Sequence, residues 1–271
     1  MSSEVGRTDI AAAFRELGAQ PGDFLLFHSS LKSMGHVDGG PQTVIDGALD
    51  AVAPGGTVAV PTLWYNGKPL ERKEEDFDLN TSPAWNGLVA ETMRQDPRSV
   101  RSNHFSHSVN AIGPRAAELT DGHGAGRRFP SPWSETAFAE ISPWSKLYRF
   151  NALYAFIGCT MNSCTMKHWI ESRYAAGLLD RLPDAERDRC RKQLAYERQK
   201  APWCFFDGRA MHLRLAAQGL IRTARLGEAP VFAFRTRPMV DAVLRELVRD
   251  PEKWFTPAFL EWRKTILDFI H

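Results

Sequence analysis

Residues 22–62 read GDFLLFHSSLKSMGHVDGGPQTVIDGALDAVAPGGTVAVPT, and the spacing of apolar side chains along them decides the fold class. FLLFHSSL (24–31) is a near-continuous apolar run after the turn Gln20-Pro21-Gly22-Asp23. Such a run predicts a strand covered on both faces. From 42 to 53, Val44, Ile45, Ala48, Leu49 and Val52 share one helical stripe, and Pro54-Gly55-Gly56 stops it. TVAVPTL (57–63) then reads as a second buried strand. Two buried strands joined by a helix make a parallel βαβ unit.

Working outward, Ile10, Phe14 and Leu17 predict a helix over 8–17, with Thr8 as N-cap and Gly18 as stop. Trp85, Leu88, Val89 and Met93 predict another over 84–95, and residues 101–113 end in strand-like alternation. SPWSKLYRF (142–150) reads as a short helix, NALYAFIG (151–158) as a strand and TMKHWIESRYAA (165–176) as a helix. Strand-like segments follow at 202–206 and 231–235, and a helix at 238–249 admits Pro238 in its first turn. The long charged stretch 64–83 is a loop of the length that tends to carry function. With no repeat, low-complexity tract or linker, residues 1–271 are expected to form a single α/β domain.

Composition narrows the function. Of 271 residues, 43% are hydrophobic and 24% charged, which excludes a disordered or collagen-like chain. Lys+Arg 34 against Asp+Glu 32 lacks the basic surplus of a nucleic-acid binder. No 18-residue apolar run or signal-like N-terminus is present, so a cytoplasmic protein without a membrane partner is expected. The four cysteines lack CxxC spacing, so neither a disulfide scaffold nor a metal site is expected.

Three segments carry candidate chemistry. Ser30 to Pro41 leaves a buried strand and enters a helix, the place where open α/β sheets bind ligands. Its glycines allow close backbone approach, and they equally suit a plain turn. His168 and Glu171 stand three apart on one helical face, so the carboxylate can orient the imidazole and support the charge it gains on taking up a proton. Arg101-Ser102-Asn103-His104-Phe105-Ser106-His107-Ser108 crowds hydroxyls and imidazoles together, as a polar pocket wall or a self-bonded loop would. A serine hydrolase is disfavoured because GxSxG is absent; Cys164 near His168 could offer a thiolate nucleophile, but its flanks Ser163 and Thr165 read as a helix start and favour a buried inert thiol.

Taken in order, residues 22–62, RSNHFSHSVNAIGPRAAELTDGH (101–123) and SPWSKLY…LYAFIGCTMNSCTMKHWIES (142–172) resemble the aminoglycoside 3-N-acetyltransferase family, with a weaker echo at 219–234. The resemblance implies a single-domain three-layer α/β/α fold unrelated to the GNAT acetyltransferases. It implies acetyl-CoA as acyl donor, a primary amine of an aminoglycoside or related natural product as acceptor, and no metal. His168 matches the family's catalytic histidine and Glu171 its partner carboxylate. Ser30, Leu31, Lys32, Ser33, Val37, Gly39 and Gly40, with His104, Ser106 and Ser108, match the region contacting the pantetheine arm and thioester.

The acceptor is left open by charge. Residues 181–200 following the catalytic helix are rich in Lys and Arg, whereas the run Glu71-Arg72-Lys73-Glu74-Glu75-Asp76-Phe77-Asp78 suits a cation. Trp64, Trp133, Trp144 and Trp203 point to a flatter, less charged substrate or to core packing. Two further readings stand beside the first. One is a biosynthetic tailoring acyltransferase using another acyl-CoA or an acyl-carrier-protein thioester with a non-aminoglycoside amine. The other is a non-catalytic CoA-binding protein.

Overall fold

The computed structural model describes residues 4–64, 74–194 and 202–270. The elements run α1 (Arg7–Glu16), β1 (Phe24–Ser29), α2 (Gly40–Val52), β2 (Thr57–Pro61), α3 (Leu88–Gln95), β3 (Val100–Arg101), β4 (Val109–Ile112), α4 (Ala116–Thr120) and α5 (Pro143–Phe150). They continue with β5 (Leu153–Ile157), α6 (Thr165–Leu179), α7 (Asp184–Leu194), α8 (Gly208–Ala217), β6 (Arg222–Leu226), β7 (Ala229–Arg235), α9 (Thr236–Arg249), α10 (Pro251–Trp254) and α11 (Pro257–Ile270). One sheet has the order β3-β4-β2-β1-β5-β7-β6. β1 is parallel to β2 and β5, and the outer strands run antiparallel.

The apolar runs explain the layering, because successive residues of a strand point to opposite faces. Leu25 and Phe27 of β1, with Leu153, Ala155 and Ile157 of β5, pack against α1, α2 and α3. Phe24 and Leu26, with Tyr154 and Phe156, pack against α5, α6, α9 and the helices beyond. A central strand buried on both faces has no polar side to display, so its sequence reads as continuous rather than alternating. The expected α/β/α layers are present.

Several boundaries differ from the expectation. α1 starts at Arg7 and is capped from Gly6, whose N–H donates to Asp9 Oδ2 at 2.8 Å, so Thr8 is inside the helix. α3 begins at Leu88 rather than 84, because Ala84 bridges Trp64 and Asn86 is tied to the end of β2. The span 101–113 divides into β3 and β4 around a loop that hydrogen-bonds to itself. Residues 202–206 form no strand. Within 180–200, α7 buries Cys190 and Leu194, and residues 195–200 lie outside those described. No expectation covers β6, α8 or α11, although Phe259, Trp262 and Ile266 of α11 are buried at helical spacing. β6 is an edge strand with mostly exposed residues, which hides its period. No helix among the described residues is long and apolar enough to cross a membrane.

Candidate active site

The parallel strands β1, β2 and β5 all end at one edge of the sheet. The loops leaving Ser29, Pro61 and Ile157 therefore meet there. β4 enters from the same edge, and Thr62 N–H donating to Ser108 O at 2.9 Å brings 101–108 to it. Topology thus gathers the three candidate segments in one crevice.

α6 begins eight residues after β5 and presents His168 in its first turn. His168 Nδ1 lies 2.9 Å from Glu171 Oε2; the imidazole is 19% exposed and the carboxylate fully buried. Glu171 also accepts from Trp203 Nε1–H at 3.1 Å and from the Phe206 amide at 3.4 Å. These donors offset the cost of burying a carboxylate. They also explain why 202–206 is not a strand: its polar groups turn towards α6. With Nδ1–H donating to Glu171, Nε2 of His168 is left as an acceptor of protons. The ring is enclosed by Trp133 (centroids 4.1 Å apart), Phe205 (6.1 Å), Phe138 (6.4 Å) and His107 (6.4 Å).

The loop after β1 lines a cleft of about 670 Å³ through Ser30, Leu31, Lys32, Val37 and Gly40, facing Leu88 of α3. Gly39 caps α2 with φ +70°, a left-handed conformation that favours glycine. Ser33 is turned inward, its hydroxyl donating to Ser30 O at 2.7 Å. It occupies the space a Cβ on Gly158 would need, so this loop and the end of β5 interlock. A second cleft of about 380 Å³ shares Ser29 and is bounded by His28, Asn86, Cys159 and Ser163.

The 101–108 segment is inside the protein. His104 Nδ1 accepts the amides of Ser106 and His107, both at 3.1 Å, so Nε2–H donates to Thr136 Oγ1. Burial holds His104 well below the usual imidazole range. Ser106 Oγ and His107 Nδ1 are hydrogen-bonded at 2.8 Å. Ser108 Oγ donates to Thr62 O at 2.6 Å and accepts from Arg101 Nε at 3.2 Å. His104, Ser106 and Ser108 are 5%, 3% and 0% exposed, so the structure brings them to the edge beneath its surface, with these polar contacts internal.

Cys164 is fully buried and its thiol is pushed up to about 12 by that burial, so it supplies no thiolate nucleophile. Of the acidic run, Glu71, Arg72 and Lys73 lie outside the described residues. Glu74–Asp76 form an exposed turn, and Asp78 accepts bonds from Asn80 and Thr81. Among the described residues, no group of three or more His, Cys, Asp or Glu side chains is placed to hold a metal. Sequence reasoning missed His107 as a neighbour of His168, and Trp203 as a support of Glu171. Both relations join distant segments and leave no local signal.

The family model for aminoglycoside 3-N-acetyltransferases matches residues 26–247, and therefore most of the chain. The chain belongs to this family. Aminoglycoside N(3)-acetyltransferase III of a Salmonella species is 34% identical over 180 residues, covering 61% of this chain and 60% of that protein. Aminoglycoside N(3)-acetyltransferase IX of Micromonospora chalcea is 30% identical over 183 residues, 62% of each. The matched region thus spans about 60% of the length of these aminoglycoside acetyltransferase relatives. Among solved structures, AAC-IIIb in binary complex with CoASH superposes with a TM-score of 0.70 at 21% identity, covering 94% of this chain and 99% of that one. AAC-VIa bound to sisomicin gives 0.66 at 20% identity, covering 90% and 98%. These likenesses establish the non-GNAT aminoglycoside acetyltransferase fold.

Proposed function

We propose that this chain, read as one domain over residues 1–271, is an acetyl-CoA-dependent N-acetyltransferase acting on a primary amine of an aminoglycoside or related natural product. The observation that carries this is the His168–Glu171 pair, a largely buried imidazole with Nδ1 committed to a fully buried carboxylate. Family membership and the AAC-IIIb complex with CoASH support the donor, and the AAC-VIa complex with sisomicin supports the acceptor class.

A protonated amine is not a nucleophile. The ammonium therefore first loses one proton to solvent, and Nε2 of His168 takes a second from the neutral amine as its nitrogen attacks the thioester carbonyl. The C–N bond forms, the C–S bond breaks, and the departing thiolate recovers the proton from the imidazolium. The chain's contribution is to hold both substrates at one edge of the sheet, which converts the encounter into a step within a complex. The loop carrying Ser30, Leu31, Lys32, Val37 and Gly40 is assigned to the donor. Ser33, Gly39, His104, Ser106 and Ser108 are assigned to shaping and supporting that edge.

Thiol release from acetyl-CoA, measured across amines of graded charge, tests the reading. Release with polycationic amines is expected, and no amine-dependent release from a protein that binds CoA overturns it. His168→Ala should lower kcat by ~10²–10⁴-fold with folding intact. Glu171→Gln should cost less, about 10–100-fold in kcat, because the ring remains but loses its orienting charge. Wild-type kcat in either variant removes the proposed base or its partner.

The tailoring reading keeps one specific observation in its favour. Aromatic rings enclose His168, while Glu135, two residues from the Trp133 that packs on it, is paired with Arg191. Turnover confined to neutral or anionic amines would select it. The intact pair of His168 and Glu171 speaks against a non-catalytic protein.

A further inference from the structure

His28 lies at the C-terminal end of β1, between the strand ends that lead to His168 on one side and to the 101–108 segment on the other. It forms part of the wall of the smaller cleft, whose surroundings include the apolar Phe27, Val60, Pro61 and Ala90. Its ring stacks on Tyr154 and Phe156, and its Nε2 is 2.7 Å from the Tyr154 hydroxyl.

The Tyr154 oxygen already accepts the amide of Thr165, the first residue of α6, at 3.2 Å. Three groups stand near its proton: His28 Nε2, the Thr165 hydroxyl and the buried Cys164 thiol. An imidazole nitrogen is by far the best acceptor of these. The hydroxyl therefore donates to Nε2, and the ring proton resides on Nδ1. Among the described residues Nδ1 has no hydrogen-bond partner.

We propose that His28 is a fixed hydrogen-bond donor of the smaller cleft, which adjoins the donor loop at Ser29, its Nδ1–H binding a carbonyl oxygen of the acyl donor while Tyr154 holds Nε2. This rests on the reading of the chain as an acyl-CoA-dependent transferase. Burial lowers His28 to about 3, so the ring stays neutral and does not compete with His168 for the amine's proton. A neutral donor in a partly apolar cleft is of most use to an oxygen that gains negative charge, or to an amide carbonyl stripped of water. Because Tyr154 also receives the Thr165 amide, the same hydroxyl sets the His28 tautomer and seats the start of the catalytic helix.

The test combines spectroscopy with kinetics. In nitrogen-15 histidine spectra, assigned by the loss of one signal pair in His28→Gln, His28 should be the Nδ1–H tautomer, and that signal should move when acetyl-CoA is added. His28→Phe should lower kcat/KM for acetyl-CoA about 10- to 100-fold with the amine KM unchanged. His28→Gln, which keeps an N–H donor, should recover much of the loss. A loss confined to KM identifies an amide carbonyl of the pantetheine arm, and a loss in kcat identifies the thioester carbonyl. A folded His28→Phe protein with wild-type donor kinetics overturns the proposal, as does an Nε2–H tautomer. Should His28→Phe not fold, Tyr154→Phe decides: it must weaken donor kinetics while sparing the amine KM. A wild type that binds no CoA overturns the function and this proposal together, whereas a CoA-binding wild type indifferent to His28→Phe overturns the proposal alone.

Discussion

The segments 30–40 and 101–108 reach the same edge of the sheet, yet they use their polar groups in opposite ways. The first opens its backbone and the Lys32 side chain into a cleft. The second turns two imidazoles, three hydroxyls and a guanidinium inward, where each finds a partner in the protein. Arg101 alone reaches the carbonyls of Leu79, Ser82 and Thr62. One segment presents, the other braces. A list of polar residues near a strand end does not separate these roles; burial does.

The contrast is open to attack by pH first. His104, with its neighbour His123 and the more distant His28, is kept neutral by burial; His123 is lowered to about 4 and His28 to about 3, from 6.5. An unfolded chain binds these protons near pH 6.5 and the folded one does not, so stability is full above that pH and falls as pH drops towards 4. Each such imidazole costs up to about 1.4 kcal/mol per pH unit in that window. Urea midpoints from pH 7.5 to 4.5 should show the decline. A flat profile above the carboxylate range would mean these rings are not held neutral.

Smaller, and confined to the bracing segment, is Ser108→Ala. It leaves Arg101 Nε and Thr62 O without that hydroxyl and should cost about 1–3 kcal/mol of folding free energy. The KM for acetyl-CoA should stay near wild type in the protein that remains folded. Smallest is Lys32→Ala, which should leave the urea midpoint unchanged and raise the KM for acetyl-CoA several-fold, more at low salt than at high. If Ser108→Ala moved KM and Lys32→Ala moved stability, the division between the two segments would be wrong.

What the sequence revealed follows the same line. The βαβ unit over 22–62 and the β5–α6 pair are legible because their apolar spacing is local and strong. His168 and Glu171 are legible because one helical turn brings them together. The start of α3 was hidden, since Asn86 is held by the carbonyl of Pro61 and the amide of Leu63, bonds that no helical period announces. Residues 202–206 have the apolar density of a strand but are drawn to Glu171 instead. The packing of His107 on His168 joins residues 61 positions apart, and only the folded sheet edge reveals it.

Ser33 seated against Gly158 has a further consequence. A bulkier residue at either position would push the first loop away from the central strand, so both ends of the crevice would shift at once. Adaptation towards longer acyl chains would thus be steered to residues of the smaller cleft that take no part in the interlock, such as Asn86 and Ser163. The interlock acts as a developmental constraint: it leaves one side of the crevice free to diversify and holds the other to its present dimensions.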